Sequence, residues 1–232
     1  MADEKKLLYT GKTKNVYEID QDTCLLEFKD TATGRDGVFD PGANHVALSI
    51  EGAGHAGLAL TKFFFEKINA AGIPTHFISA DLDKNTMTVH KAEMFGKGVE
   101  VIIRYRAVGS FIRRYGRYAE EGMALPAYVE TTLKDDDRED PLINSDALEI
   151  LGIMTHKEYD ELRELTKKIG AIVKEELAKK GIELYDIKFE FGRLGADHHV
   201  ALVDEISGGS MRAYKDGKVI DPMKLEKLVL EA

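Results

Sequence analysis

The sequence predicts an α+β fold of two lobes, and three patterns indicate it. Alternating apolar and polar residues over the first quarter of the 232-residue chain predict short antiparallel strands. Residues 155–180 have the amphipathic spacing of a long helix. Residues 183–191 and 199–205 alternate again and predict a further hairpin. Strands grouped apart from helices, rather than alternating with them, favour α+β over a parallel α/β sheet.

The first lobe is predicted to begin with an antiparallel meander. Residues 6–9, 15–19 and 23–28 read as strands separated by short turns. Residues 34–57 are rich in glycine and proline, which predicts a long loop of the kind that often carries function. Residues 58–71 have helical spacing and are followed by a glycine stop.

The change from strands to helix marks the predicted boundary between the lobes. Residues 75–80, 87–91 and 99–105 read as strands, and residues 110–115 as a helix. In the second lobe, Thr155 and Glu158 match a capping box at the start of the long helix. We therefore expect an N-terminal lobe of residues 1–106 and a C-terminal lobe of residues 107–232.

Composition and charge limit the classes of function. The chain has 32 Lys and Arg against 41 Asp and Glu, so its formal charge is −9, which argues against a general nucleic-acid binder. The hydrophobic share of 44% is typical of a globular protein, and no apolar run approaches a membrane span. Cys24 is the single cysteine and reads as a buried thiol. With a charged N-terminus, these features predict a cytoplasmic protein that binds neither nucleic acid nor membrane.

A glycine turn carries the first candidate site. Gly11 and Lys12, with Lys14 two residues later, lie between two predicted strands. Such a turn lets backbone N–H groups approach phosphate oxygens while lysine neutralises their charge. A basic hairpin in solvent has the same pattern, so this segment alone leaves both interpretations open.

Two strands of the second lobe carry the second candidate site. Asp186, Lys188 and Glu190 alternate along one strand and share a face, whereas Tyr185 and the residues alternating with it take the other. A half-buried strand without a site would alternate in the same way. The next strand ends at Asp204, which a hairpin can bring close to Glu190. Two carboxylates on adjacent strands suit Mg²⁺ with a nucleotide, so we hypothesise an ATP site.

Arginines between residues 104 and 117 form the third candidate site. Arg104 ends an apolar strand and Ser110 begins a helix, so a guanidinium, a hydroxyl and a helix N-terminus could converge on one phosphate. Arg113, Arg114 and Arg117 are more simply explained as exposed helix residues.

Several other clusters of residues are not interpreted as functional sites. The seven histidines show no metal-ligand spacing, so a zinc site is not expected. Residues 135–137 are read as a solvated acidic loop, although the neighbouring Lys134 could reach a site. Residues 63–65, three consecutive phenylalanines, are assigned to the core.

In order and spacing, the motifs resemble the SAICAR synthetase family, the phosphoribosylaminoimidazole-succinocarboxamide synthases, over nearly the whole chain. The motifs are Tyr9-x-Gly11-Lys12-x-Lys14-x-x-Tyr17, Glu100-Val101-Ile102-Ile103-Arg104 with Gly109-Ser110, Asp140-Pro141 with Asn144, Asp186-x-Lys188-x-Glu190-Phe191-Gly192, and Asp204-Glu205-Ile206-Ser207 with Arg212.

The resemblance implies a purine-biosynthesis ligase that joins carboxyaminoimidazole ribonucleotide to L-aspartate. ATP would lie between the lobes and act together with Mg²⁺. It would be cleaved to ADP and phosphate through an acyl phosphate intermediate of the substrate. The resemblance is also compatible with a homo-oligomer. The implied catalytic residues are Lys188, Glu190 and Asp204, of which Glu190 and Asp204 hold the metal. The implied ATP-binding residues are Gly11, Lys12, Lys14, Val16, Lys91, Glu100 and Lys134. The implied substrate-binding residues are Arg104, Ser110, Ser207, Arg212 and Asp36.

The chain departs from the family pattern at several places, and two of them bear on the amine substrate. Gly208 and Gly209 stand where the family has Pro-Asp, and residues 33–57 replace a shorter, differently patterned loop. We expect Asp36 or Asp40 to supply the missing acid, so that L-aspartate remains the amine. Two alternatives stay open, which are a paralogous amide ligase with a different amine or carboxylate and a nucleotide-sensing module without turnover.

Overall fold

The computed structural model describes residues 6–35, 38–39 and 46–231, and it has the predicted α+β architecture. The strands are β1 Leu7–Thr10, β2 Lys14–Glu18, β3 Thr23–Phe28, β4 Thr31–Arg35, β5 Val38–Phe39, β6 Val46–Ser49, β7 Phe77–Asp81, β8 Thr86–His90, β9 Glu93–Met94, β10 Val99–Arg106, β11 Ala124–Leu133, β12 Glu183–Leu194, β13 His199–Val203, β14 Met211–Lys215 and β15 Lys218–Val219. The α-helices are α1 Ala53–Ala70, α2 Ser110–Tyr115, α3 Ser145–Ile150, α4 His156–Ala178 and α5 Pro222–Leu230.

The N-terminal sheet contains the predicted meander. Its five strands run in the order β1-β2-β3-β8-β7, and every neighbouring pair is antiparallel. On β3, Cys24 is 5% exposed and Leu26 and Phe28 are also buried, because β3 is central and α1 contacts it. Phe64 and Phe65 of α1 are fully buried, which confirms their assignment to the core.

The larger sheet separates apolar from charged residues. Its path is β11-β10-β12-β14-β15, with β13 and β9 also paired to β12. On β12, Ile187, Phe189 and Phe191 are buried in the core, as their alternation predicts. Tyr185 departs from the prediction, because the register shifts between Leu184 and Asp186. Leu184 is therefore the buried residue at that end of the strand, and Tyr185 stacks on Tyr214 instead.

Helix α4 packs on the apolar face of this sheet. Its predicted capping box is present, with Thr155 and Glu158 each bonding the other's backbone N–H. Gly170 lies where a Cβ would come within about 3 Å of Tyr105 and Ile103, so the helix can approach the sheet only with glycine there.

Parts of the sequence prediction were wrong. The segment at residues 34–57 is not a single loop, because β5 and β6 lie within it and α1 begins at Ala53, before the predicted start at residue 58. Strand β11 and helix α3 were not predicted. Strand β12 continues to Leu194, beyond the predicted turn at residue 192. The glycine content of residues 34–57 and of the end of β12 suggested irregular structure, but strand pairing overrides such local preferences.

The two sheets meet where the chain leaves α1. Thr75 forms a parallel bridge to Leu202 of β13, with Leu202 N donating to Pro74 O at 3.0 Å and His76 N donating to Leu202 O at 2.9 Å. Strand β10 belongs to the larger sheet, so its pairing favours a lobe boundary nearer residue 91 than residue 106. The boundary itself stays a prediction. Within the described ranges, none of the helices combines the length and apolar character needed to cross a membrane.

Candidate active site at the junction of the two sheets

The register of β10 and β12 brings the predicted charged residues into opposed pairs. Glu100 lies opposite Glu190, and Arg104 opposite Asp186, on the face of the sheet away from the apolar residues. Glu190 also lies opposite Val203 of β13, the residue before Asp204. The hairpin therefore brings Asp204 near Glu190, as the sequence predicted.

Each predicted site lysine that contacts this region is paired with a carboxylate. Lys14 Nζ lies 2.6 Å from Glu205 and 3.0 Å from Asp204, although Lys14 is a residue of the first sheet. The other pairs are Lys188 with Glu100 at 2.6 Å, Lys134 with Glu190 at 2.7 Å, and Lys12 with Asp136 at 2.6 Å. Four lysines thus face five carboxylates, so the site has a small excess of negative charge.

Burial and pairing shift the pKa values of these groups in opposite directions. Burial disfavours charge on Lys14, but the attraction of Asp204 and Glu205 outweighs it and raises the lysine pKa. Burial and the negative charge of Asp204 raise the pKa of Glu190. For Asp204, burial is outweighed by Lys14 and Lys134, which lower its pKa. Asp204 is therefore the more firmly ionised of the two carboxylates.

The glycine turn closes tightly at the edge of this cluster. Gly11 N donates to Lys14 O at 2.7 Å, and a Cβ on Gly11 would lie 3.0 Å from that oxygen. Lys29 Nζ donates to Gly11 O at 2.6 Å and fixes the turn from the neighbouring strand. A non-glycine residue at position 11 would push the turn open and move Lys12 and Lys14.

The segment after β13 has an unusual backbone. Asp204 has φ +64°, in the left-handed region that costs an ordinary L-residue roughly 1–2 kcal/mol. Ser207 Oγ donates to Glu205 Oε1 at 2.9 Å and accepts from Gly209 N at 3.1 Å. A Cβ on Gly208 would collide with Pro222 O at the start of α5, so a proline, as in the family pattern, cannot occupy this position.

The arginine cluster is more buried than the sequence suggested. Arg104 is 2% exposed, and it donates to Glu130, Asp186, Ser110 Oγ and the Val108 carbonyl oxygen. The predicted convergence of Arg104 and Ser110 is present at 2.8 Å. These bonds engage all the donors of Arg104, so a phosphate here would have to displace an existing partner.

Two further arginines reach the same carboxylates and are less buried. Arg212 donates to Asp186 at 2.9 Å, and its side chain is 17% exposed. Arg114, predicted to face solvent, instead donates to Glu130 Oε1. The other oxygen of Glu130 is buried, and none of the described residues forms a hydrogen bond with it. The arginines outnumber the carboxylates of this cluster, which gives it a net positive charge suited to an anion.

Among the residues that the structure describes, two predicted site residues are not joined to these clusters. Lys91 pairs with Glu18 at 3.6 Å, and Val16 packs partly against the core. Asp36 lies outside the described residues, as does Asp40. Glu130 and Asp136 were missed by sequence reasoning: β11 was not predicted, and the acidic loop was read as solvated.

Within the described part of the chain, a metal ion would need ligands beyond the protein's own side chains. Among the described residues, no group of three or more His, Cys, Asp or Glu side chains is placed to bind one. Glu190 and Asp204 offer two hard carboxylate ligands, which fit Mg²⁺ when phosphate oxygens and waters complete its octahedron. A pocket of about 70 Å³ lies between α1 and residues 205–209, lined partly by Thr13, Gly57 and Ser207.

The fold and the site define an α+β protein with a tight glycine turn, paired lysines and carboxylates where the two sheets meet, and a buried arginine cluster. The SAICAR synthetase family model matches residues 7–229, so the chain belongs to the SAICAR synthetase family. It is 61% identical to the phosphoribosylaminoimidazole-succinocarboxamide synthase of Clostridium tetani over 225 residues, 97% of this chain and 99% of that one. A Thermotoga maritima enzyme of the same name is 37% identical over 96% of both chains.

Solved structures agree with this assignment. A SAICAR synthetase described as type 2, in complex with ADP, superposes with a TM-score of 0.82 at 33% identity, covering 94% of this chain and 88% of that one. SAICAR synthetase from Pyrococcus horikoshii gives a TM-score of 0.79 at 32% identity, with 91% and 88% covered. The expected family and two-lobed fold are confirmed, and an ADP complex in a relative supports the use of ATP.

Proposed function

We propose that the protein joins carboxyaminoimidazole ribonucleotide to L-aspartate while cleaving ATP to ADP and phosphate. The observation that carries this proposal is the cluster in which Lys14 contacts Asp204 and Glu205 while Lys134 contacts Glu190. It places cations and carboxylates from both sheets at one point. Family membership supports the choice of substrates.

The chemistry requires activation of a carboxylate. Phosphorylation supplies a leaving group, and the amine then attacks the acyl phosphate, so no side-chain nucleophile is needed. In the free protein the lysines neutralise carboxylates. When nucleotide binds, the phosphate oxygens take Lys12 and Lys14, and Lys188 lies between ATP and the substrate carboxylate. Lysines already positioned in this way stabilise the charge that develops during transfer.

Glu190 and Asp204 would hold Mg²⁺, which would neutralise phosphate charge when bound. We expect Glu190→Gln or Asp204→Asn to lower turnover at least about a hundredfold, a loss of roughly 2.7 kcal/mol of transition-state stabilisation. Glu93→Gln, which changes an exposed carboxylate on β9, serves as the control and should remain active. Full activity in either site variant would contradict the metal assignment.

Arg104, Ser110 and Arg212 are proposed to bind the ribonucleotide phosphate. Arg212 is the less buried arginine of this set, so it offers the cleaner test. Arg212→Lys keeps the charge but loses the planar fork, and it should raise the KM for ribonucleotide without changing the KM for ATP. An equal rise in both constants would assign Arg212 to the nucleotide site.

The identity of the amine substrate is the part of the proposal that most needs a test, because Gly208-Gly209 lacks the carboxylate of the family's Pro-Asp. Purified protein would be assayed with Mg·ATP, the ribonucleotide and a panel of amino acids, measuring ADP release and product mass. We expect aspartate to be the best amine, with kcat/KM above about 10⁴ M⁻¹s⁻¹. A value below about 10² M⁻¹s⁻¹ would instead favour a paralogous amide ligase with another amine.

A further inference from the structure

We propose that His76 is a positioning residue that sets the orientation of the Asp204 carboxylate, and this inference rests on the proposed metal role of Asp204. His76 lies at the junction of the two sheets, just before β7. Its Nε2 is 3.3 Å from the backbone oxygen of Asp204. A carbonyl oxygen can only accept, so Nε2 carries the proton and donates.

The backbone of His76 is fixed from both sheets. Its N–H donates to Leu202 O of β13 at 2.9 Å, and its carbonyl accepts from His90 N of β8 at 2.7 Å. Its ring is 4% exposed and lies 5.6 Å from the ring of Phe65. Because the backbone of His76 is fixed and its ring is buried, the side chain has few alternative rotamers. Its Nε2 is therefore a fixed donor.

Asp204 needs such a donor because its own backbone is strained. It is a non-glycine residue at φ +64°, directly after the last paired residue of β13. An isolated residue would relax from this conformation into the broad allowed regions. The bond from His76 holds the carbonyl in place, and the carboxylate is thereby directed towards Lys14 at 3.0 Å.

A second carbonyl of this segment offers a comparison for the His76 contact. Thr61 of α1 is fully buried, and its hydroxyl, which donates to Gly57 O at 2.7 Å, also lies 3.2 Å from Ile206 O, two residues further along the same segment. Both carbonyls therefore face buried side-chain donors from the first half of the chain. Of these two contacts, only the hydrogen bond from His76 is made to a proposed metal ligand. The contacts of His76 and Thr61 can therefore be separated by experiment.

Two amide variants test the position of the donor. In His76→Gln the side-chain nitrogen overlaps the Nε2 position, whereas in His76→Asn it overlaps the Nδ1 position and cannot reach Asp204 O. Both introduce the same amide group, so they differ mainly in where the donor lies. Thr61→Val is the matched control, because it removes a buried hydrogen bond from the same segment without touching Asp204.

The measurement is ADP affinity by calorimetry, with Mg²⁺ and with a chelator. We expect the Mg²⁺-dependent gain in affinity to fall about tenfold in His76→Asn and to stay within about threefold of the parent in His76→Gln. Thr61→Val should keep the parent's Mg²⁺-dependent gain even if it melts earlier. In an Asp204→Asn background the two His76 variants should no longer differ, because the residue through which His76 acts is gone.

Several outcomes would overturn the inference. The first is an unchanged Mg²⁺-dependent gain in His76→Asn, and the second is a difference between the amide variants that persists with Asp204→Asn. Equal weakening with and without Mg²⁺ would also count against it, since that result indicates a general structural role. The test uses no amine or ribonucleotide, so an error in the proposed substrates would leave it unaffected. Failure of the parent to gain ADP affinity from Mg²⁺ would instead contradict the proposed metal site.

Discussion

Gly109 decides where the guanidinium of Arg212 can lie. It has φ +55° and ψ −127°, a conformation that L-residues rarely adopt. A Cβ there would lie 2.8 Å from Cζ of Arg212 and 2.9 Å from both terminal nitrogens. Glycine therefore lets the residue before α2 and the arginine from β14 share one small space beside Ser110.

We expect Gly109→Ala to raise the KM for ribonucleotide at least about tenfold, because the methyl group displaces Arg212 from Asp186 and costs one charge-assisted contact. The KM for ATP should change little. Gly122→Ala is the control: it also introduces a side chain at positive φ, +79°, but into open space. A ribonucleotide KM that rises equally in the control would show backbone strain, not arginine displacement, to be the cause.

Helix α4 is tied to β12 through its first turn. Glu158 completes the capping box with Thr155 and also accepts hydrogen bonds from Arg193. Arg193 in turn lies 4.3 Å over the ring of Phe95. The hydrogen bonds from Arg193 and Thr155 lower the pKa of Glu158 from 4.5 to about 2. The helix start is thus fixed to the sheet by an ionised carboxylate.

This depressed pKa predicts how stability changes in acid. Because the folded pKa lies below the unfolded one, the contribution of Glu158 is complete above about pH 4.5 and is lost as the pH falls towards 2. We expect Glu158→Gln to lower the unfolding free energy at pH 7 by roughly 1.5–3 kcal/mol, the usual range for hydrogen bonds to charged groups. Denaturant unfolding of both proteins at several pH values measures this. A difference unchanged at pH 2.5 would contradict the assignment.

The position of helix α5 depends on Gly208, a residue outside the helix. Gly208 lies so close to Pro222 that any side chain would meet its backbone, which cannot move as a flexible side chain could. We expect Gly208→Ala to displace α5 and to destabilise the protein by about 1–3 kcal/mol, the usual cost of overpacking.

Gly57→Ala is the matched control for this prediction. Gly57 lies in α1 across from the same segment, with the nearest atom to its Cβ position, Ser207 Cβ, at 3.7 Å. Alanine there should be neutral or stabilising by up to about 1 kcal/mol through helix propensity. Thermal melting of both variants tests this difference in stability. Equal melting temperatures would show that α5 adapts to a side chain at position 208.

At the scale of the whole molecule, an ion pair joins the glycine turn of the first sheet to the acidic loop after β11. Lys12 Nζ lies 2.6 Å from Asp136, and the two side chains are 36% and 38% exposed. An ion pair this exposed contributes only about 0–1 kcal/mol. Nucleotide phosphates can therefore displace Asp136 from Lys12 at little cost.

We expect Asp136→Asn to bind ADP more tightly, by up to about fivefold, because it removes a competitor for Lys12 and one negative charge near the phosphates. Asp137→Asn makes the same charge change in the neighbouring residue of the acidic loop, which is exposed and for which no hydrogen bond or ion pair to a described residue is found. Calorimetry on both variants separates competition from general charge. Weaker binding in Asp136→Asn alone would show that Asp136 helps to hold the nucleotide.

The sequence by itself determined the features that depend on near neighbours along the chain. The faces of β12 follow from a period of two, and the start of α4 follows from the Thr155–Glu158 capping box. The order of short motifs was also enough to indicate the family. These patterns depend mainly on residues close together in the chain, although the pairing of β12 with β14 still moved Tyr185 from its predicted face.

Only the tertiary structure decided which charges meet. Lys14 and Glu205 are 191 residues apart, and their contact requires the first sheet to dock beside β13. The burial of Arg104 follows from β11, which brings Glu130 to it across the sheet. Partners of this kind depend on strand register and on the packing of the two sheets, and many pairings of lysine and carboxylate are compatible with one sequence. The fold selects among them because each buried charge must find a partner at hydrogen-bond distance.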